Sequence, residues 1–291
     1  MTLRILAPAK INLFLCVLGR RPDGYHDLFS LMCRIGLYDE IVLNPTSADI
    51  SLTCSDPALP VDDGNLALRA ARRFFEALGR SGGVAIHLTK RIPVAAGLGG
   101  GSSNAASVLL GLNHLNGAPL SLDRLIAIGK SLGADVPFFL FQSPALASGI
   151  GDRLEAFAGI PPLAALVVSP SFAVSTRMVY QNLNLRLTNP QKRPTRTHFK
   201  KTAFTPGFHL YNDLETVTLA WHPELAAIKN LLTGRGALGS LMSGSGPSVF
   251  GLFPDLEAAH KAADALPGDR GWRLFRAGLL TGPAPLICEI Q

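Results

Sequence analysis

A chain of 291 residues is longer than a single hydrophobic core usually spans, so two domains with a cleft between them are expected. Its 47% hydrophobic and 16% charged residues exclude a disordered chain. Apolar stretches such as Ile11 to Leu18 and Ile160 to Val168 fall well short of the ~18 residues of a membrane span, so a soluble chain is expected.

The net charge of +6 is concentrated rather than spread. Lys192, Arg193, Arg196, Lys200 and Lys201 share one segment, "NPQKRPTRTHFKKTAF", whose prolines and threonines read as a solvated loop. Contact of that segment with an anionic ligand stays open, but so localised a charge argues against a nucleic-acid binder. Cys16, Cys33, Cys54 and Cys288 have neither zinc-site spacing nor the density of a disulfide scaffold, which points to thiols in a reducing, cytoplasmic setting. Gly19 to Gly24 reads as a turn and not as a cleavage site, so no secretory leader is expected.

In chain order, residues 11–18 alternate as a strand with both faces covered, "RPDG" turns, and "YHDLFSLMCRIGLYDEIVL" continues extended. Leu66, Ala70, Phe74 and Leu78 predict a helix over 65–78, and Val84, Ile86 and Leu88 a strand. A second helix is expected from Ser103, with Ala105, Val108, Leu109, Leu112 and Leu115 on one stripe, and a third over "LDRLIAIGKSLG". Pro161 and Pro162 open a strand over 163–169, which sets a domain boundary near 157 and divides the chain into 1–157 and 158–291. Helices over 211–221 and 223–232, a glycine turn "SGSGPS" entering a strand, and a helix "DLEAAHKAADAL" with Leu256, Ala259, Ala263 and Leu266 inward complete an α+β chain without repeats.

Between the predicted strand at Val84 and the helix at Ser103 lies "IPVAAGLGGGSSNAA", with glycine at 97, 99, 100 and 101. Without Cβ atoms, such a backbone can bring N–H groups against an anion, and the helix N-terminus behind it adds partial positive charge. Ser102 and Ser103 can cap the helix or donate to phosphate oxygens. No lysine precedes the serines, so the loop is neither a Walker A motif nor a Rossmann fingerprint. The balancing charge must come from Lys90, Arg91, Lys10 or Mg²⁺.

"PVAAGLGGGSSNAA" resembles the phosphate loop of the GHMP kinases, which phosphorylate galactose, homoserine, mevalonate and similar alcohols. "LAPAKINLFLCVLGRRPDGYHDLFSL", "LGADVPFF" and "LMSGSGPSVFGLF" are similar to one branch of that family, and Ser243 stands where the commoner form has threonine. The resemblance implies an N-terminal domain like ribosomal protein S5, a ferredoxin-like C-terminal domain, and ATP with Mg²⁺ in the cleft between them. It further implies a small-molecule substrate carrying a cytidine diphosphate group, phosphorylated on its C2 hydroxyl in the non-mevalonate route to isoprenoids.

By the same resemblance Asp135 is the catalytic base and Lys10 its electrostatic partner. Residues alone leave Lys10 readable as a strand-end surface lysine and Asp135 as a helix N-cap ahead of Pro137. The resemblance assigns ATP to Pro93, Val94, Ala95, Ala96, Gly97, Leu98, Gly99, Gly100, Gly101, Ser102 and Ser103, with Asn65, Leu66 and Lys90 on the adenine side. It assigns the substrate to Asn12, Tyr25, His26, Thr176, Tyr180, Gly244 and Gly246. His26 would bind a base edge and Tyr25 and Tyr180 would stack, although a histidine beside an aromatic is also ordinary filler. Metal ligands cannot be assigned from the sequence.

Overall fold

A computed structural model describes residues 2–47, 49–79, 81–184, 199, 202–268, 270–283 and 287–290. The basic residues Lys192, Arg193, Arg196, Lys200 and Lys201 lie outside the described residues. The elements run β1 (Leu3–Arg20), β2 (His26–Thr46), β3 (Ile50–Cys54), α1 (Leu66–Leu78), β4 (Gly83–Thr89), α2 (Gly100–Leu115), α3 (Leu122–Leu132), α4 (Val136–Phe141), β5 (Ala145–Gly149) and β6 (Arg153–Ala156). They continue with β7 (Ala164–Ser169), α5 (Thr176–Gln181), α6 (Pro206–His209), β8 (Tyr211–Asn212), α7 (Glu215–Trp221), α8 (Glu224–Gly234), β9 (Gly239–Met242), β10 (Val249–Phe253), α9 (Leu256–Asp264), β11 (Arg273–Leu280) and β12 (Ile287–Ile290). The arrangement is α+β, as the composition of elements predicts.

β1 and β2 form a long antiparallel hairpin closed by the turn at 21–24, where Gly24 takes φ +86°. Its register shifts between Pro8 and Ala9 and between Asn12 and Phe14, so irregularities flank the stretch that carries Lys10 and Asn12. Bulges of this kind bend a strand and re-aim its side chains. Around the hairpin the sheet follows the path β12-β1-β2-β11-β7-β10-β9, with β4 and β5 also pairing β2. The chain beyond residue 157 therefore returns β8 and β12 to β1 and β11 to β2.

Three apolar clusters hold these layers. α1, α2, α3 and α4 pack Phe74, Ala105, Leu109 and Phe138 onto Leu3, Ile5, Ile41 and Leu43 of the hairpin. A central cluster joins Ile11, Leu13 and Phe14 to Val167 and Phe250, and a third seats α7, α8 and α9 on β7 and β10. α1 begins where the sequence predicts, because the Asn65 side chain accepts from the Ala67 N–H at 3.0 Å, and it ends at Gly79 with φ +62°.

Three expectations need correction. The second helix starts at Gly100, not Ser103, because Gly99 in the left-handed region serves as its N-cap and the glycines themselves form its first turn. Residues 211–214 are not helical: Tyr211 and Asn212 pair in parallel with Phe14 and Leu15, while the Asp213 carboxylate accepts the Val17 N–H at 2.7 Å. Leu256 faces outward at the first turn of α9, where only Ala259, Ala262 and Ala263 reach the core. The short strands β3, β5, β6 and β9 gave no alternation long enough to read. Among the described residues no helix is long and apolar enough to cross a membrane.

Candidate active site

The glycine stretch forms a nest at the head of α2. Ala95, Gly97 and Gly99 have φ values of +51°, +76° and +71°, and the N-cap Gly99 contributes no side chain, so the first-turn N–H groups of a 16-residue helix face the opening. The nest is held from behind: Leu98 is buried and its carbonyl accepts the Lys10 N–H at 2.9 Å. A Cβ added to Gly97 would lie 2.0 Å from the Ser243 carbonyl oxygen, so the two glycine-rich loops meet with no room for a side chain. Ser243 bridges them, donating its hydroxyl to Gly97 O at 2.9 Å and accepting the Asn12 N–H at 3.4 Å. The hydroxyl is what this position uses, so serine serves where threonine is commoner.

Lys10 and Asn12 point to the same side of β1, as residues two apart on a strand must. The Lys10 ammonium donates to Asn12 Oδ1 at 2.6 Å and lies 3.5 Å from Asp135 Oδ2. Asn12 is oriented by donating its own amide to Ser30 Oγ at 2.9 Å, and Ser30 in turn donates to the Phe14 carbonyl. The Lys10 side chain is 5% exposed and that of Asp135 35%, so an ammonium at the floor faces a carboxylate in the opening. Asp135 precedes α4 but makes no side-chain cap hydrogen bond, which leaves its carboxylate directed to the cavity.

That cavity measures about 1500 Å³ and runs from the nest past Asp135 to an aromatic end. There the His26 and Tyr180 rings lie 5.1 Å apart, and Tyr25 is exposed at the rim. Burial, with a smaller contribution from the Arg20 charge, holds His26 below its ordinary value of 6.5, which keeps the imidazole neutral near neutral pH. Burial and then the Asp135 charge push the Tyr180 hydroxyl up, so it stays a proton donor. Thr176 shares a 2.7 Å hydrogen bond with Ser245, which ties α5 to the C-terminal glycine turn.

Most residues singled out from the sequence reach this cavity, including Asn65, Leu66, Pro93, Val94, Ala96, Gly101, Ser102 and Gly244. Leu98, Ser103 and Gly246 do not line it. Leu98 is a buried anchor, and Gly246 sits inside its turn, where a Cβ would meet Met242 Sδ at 2.6 Å. Ser103 Oγ is buried without a hydrogen-bond partner directly behind the nest. The Lys90 ammonium, also at the cavity wall, is held by the Asp39 carboxylate and by Asn104 Oδ1 at 3.2 Å. Asn65 divides its side chain between capping α1 and donating to the Pro60 carbonyl.

Sequence reasoning missed Asp39, Asn104, Ser30 and Asn212. Asn212 donates to the Met242 and Gly244 carbonyls at 2.9 and 2.8 Å and so shapes the second glycine turn. A polar Asn104 among the small apolar residues of "SSNAAS" was the one local signal available.

Residues 65–143 match the GHMP kinases N terminal domain, and residues 205–270 match GHMP kinases C terminal. A relative from Syntrophotalea carbinolica is 49% identical over 93% of this chain and 96% of its own length. Its name is 4-diphosphocytidyl-2-C-methyl-D-erythritol kinase. The chain belongs to the GHMP kinase family. A relative of the same name from Syntrophus aciditrophicus is 48% identical over 94% of this chain and 98% of its own. A crystal structure of 4-(cytidine 5'-diphospho)-2C-methyl-D-erythritol kinase superposes with TM-score 0.78 and 38% identity, covering 95% of this chain and 98% of that one. Homoserine kinase from Cytophaga hutchinsonii shares the fold at TM-score 0.75 and 20% identity over 99% and 97% of the two chains. As a kinase of this family the chain uses ATP.

Proposed function

We propose that this GHMP kinase transfers the γ-phosphoryl group of ATP to the C2 hydroxyl of 4-diphosphocytidyl-2-C-methyl-D-erythritol, a step toward isoprenoid precursors. One observation carries the reading: the 3.5 Å Lys10–Asp135 pair stands between a phosphate nest and an aromatic pocket able to grip a pyrimidine. The relatives at 48–49% identity that carry this enzyme's name support the choice of alcohol.

In this reading Asp135 accepts the hydroxyl proton as the substrate oxygen attacks phosphorus, and ADP leaves toward the nest. Transfer of a phosphoryl group is loose, so Asp135 contributes by orienting the hydroxyl as well as by taking its proton. Lys10 stabilises the negative charge that spreads over the transferring group, and Asn12 fixes the ammonium for that task. Neutral His26 bonds the cytosine edge while Tyr25 and Tyr180 supply ring faces. Gly244 brings backbone close to the substrate diphosphate.

Magnesium accompanies ATP in such transfers and neutralises charge on the β and γ oxygens. Among the described residues no three His, Cys, Asp or Glu side chains gather into a metal cage. Ser102, which lines the cavity at the nest, carries an oxygen donor of the kind Mg²⁺ accepts alongside phosphate oxygens.

Coupled ADP release with the cytidine diphosphate alcohol, run beside mevalonate, homoserine and galactose, tests the proposal. Turnover with the first substrate alone is expected. Equal or greater kcat/KM with any of the other three would overturn it.

A further inference from the structure

Asp39, in the second half of β2, is fully buried and takes no part in the transfer described above. Its Oδ1 accepts the main-chain N–H of Arg91 at 2.7 Å and of Ile92 at 2.9 Å. Its Oδ2 accepts the Asn104 side-chain amide at 2.9 Å and the Lys90 ammonium. A buried carboxylate is costly unless its lone pairs are occupied and its charge is matched, and here four donors, one of them a cation, do both.

The donors are not a random set. Residues 90–92 are the chain entering the nest, and Asn104 lies near the start of α2 leaving it, so one carboxylate grips the entry to the loop 93–99 and the helix that follows it. Gly97 and Gly99 within that loop, and Gly100 and Gly101 opening the helix, give it little stiffness of its own. From Lys90 the grip continues to the nest floor, where a Cβ on Gly100 would come within 3.1 Å of the ammonium.

We propose that Asp39 is a positioning residue for nucleotide binding: it fixes the two ends of the phosphate loop at the separation the triphosphate requires, with Lys90 as its counter-ion. This rests on the family's use of ATP and not on which alcohol is phosphorylated. It predicts a selective loss of nucleotide affinity when the clamp is cut.

The test is calorimetric titration of ADP, and separately of the cytidine diphosphate alcohol, into the full chain as wild type, Asp39→Asn and Asn104→Ala, with circular dichroism to establish folding. Asp39→Asn is expected to weaken ADP by ~10-fold or more, as loss of charged hydrogen bonds does, and the alcohol by less than about twofold. Asn104→Ala cuts one arm and is expected to weaken ADP by about threefold. A folded Asp39→Asn with wild-type ADP affinity, or with equal losses for both ligands, overturns the proposal. If Asp39→Asn does not fold, Asn104→Ala decides by the same criterion. Wild-type protein that binds ADP but not the cytidine alcohol would sink the substrate assignment and leave the ADP comparison intact.

Discussion

Two lysine–aspartate pairs lie beside the nest, and they differ in one respect. The lysine side chains are similarly buried, 5% exposed for Lys10 and 6% for Lys90, but Asp135 is 35% exposed and Asp39 not at all. Asp39 has every acceptor site filled, by two backbone N–H groups, an amide and an ammonium. Asp135 lacks a cap hydrogen bond and opens on the cavity. On the reading proposed above, the same two residue types serve as a clamp where the carboxylate is saturated and as a reaction centre where it keeps acceptor capacity open to the cavity.

The largest expected effect breaks the open pair. Asp135→Ala should lower steady-state kcat by at least ~10²-fold, the low end for an acid–base group, while KM for ATP moves little. Loss of ATP affinity with kcat retained would mean the two aspartates have exchanged roles. Next is the seam between the glycine loops. Gly97→Ala must push its Cβ away from the Ser243 carbonyl in a backbone with φ +76°, and strain of that kind predicts a loss of ~10-fold or more in kcat/KM for both substrates. A change confined to one substrate, read from the two KM values, would show that the loops act independently.

The third prediction concerns the far end of the cavity. His26 is held below its ordinary value of 6.5, so it stays neutral as pH falls to that point and charges only below it. KM for the cytidine alcohol should be flat from pH 8 to about 6.5 and rise at more acidic pH, and His26→Gln should remove the rise. A rise centred above 6.5 would contradict the direction of the shift. KM for ATP should not follow the same curve.

How much of this was legible depended on how local each partner was. α1 could be read because its cap Asn65, its apolar spacing and its terminal Gly79 lie within one window. The start of α7 was misread because Asn212 and Asp213 bond to Met242, Gly244 and Val17, partners that no window around residue 212 contains. The motifs carrying Lys10 and Asp135 pointed to one chemistry, and the 3.5 Å between them is a fact of the fold. Asp39 left no mark at all: its partners Lys90 and Asn104 are 51 and 65 residues away, and an aspartate in "GLYDEIVL" looks like any strand-edge charge. The counter-ion of Lys90 was invisible for the same reason.

The account stands on Lys10 and Asp135 acting as one unit, and a double-mutant cycle on kcat measures that directly. Lys10→Met, Asp135→Asn and the combined variant are compared with wild type with both substrates saturating. Residues that share one task lose most of it when either is removed, so the combined variant should be about as slow as the slower single variant. If the two losses multiply, or if either single variant turns over at close to the wild-type rate, the pair is not the reaction centre.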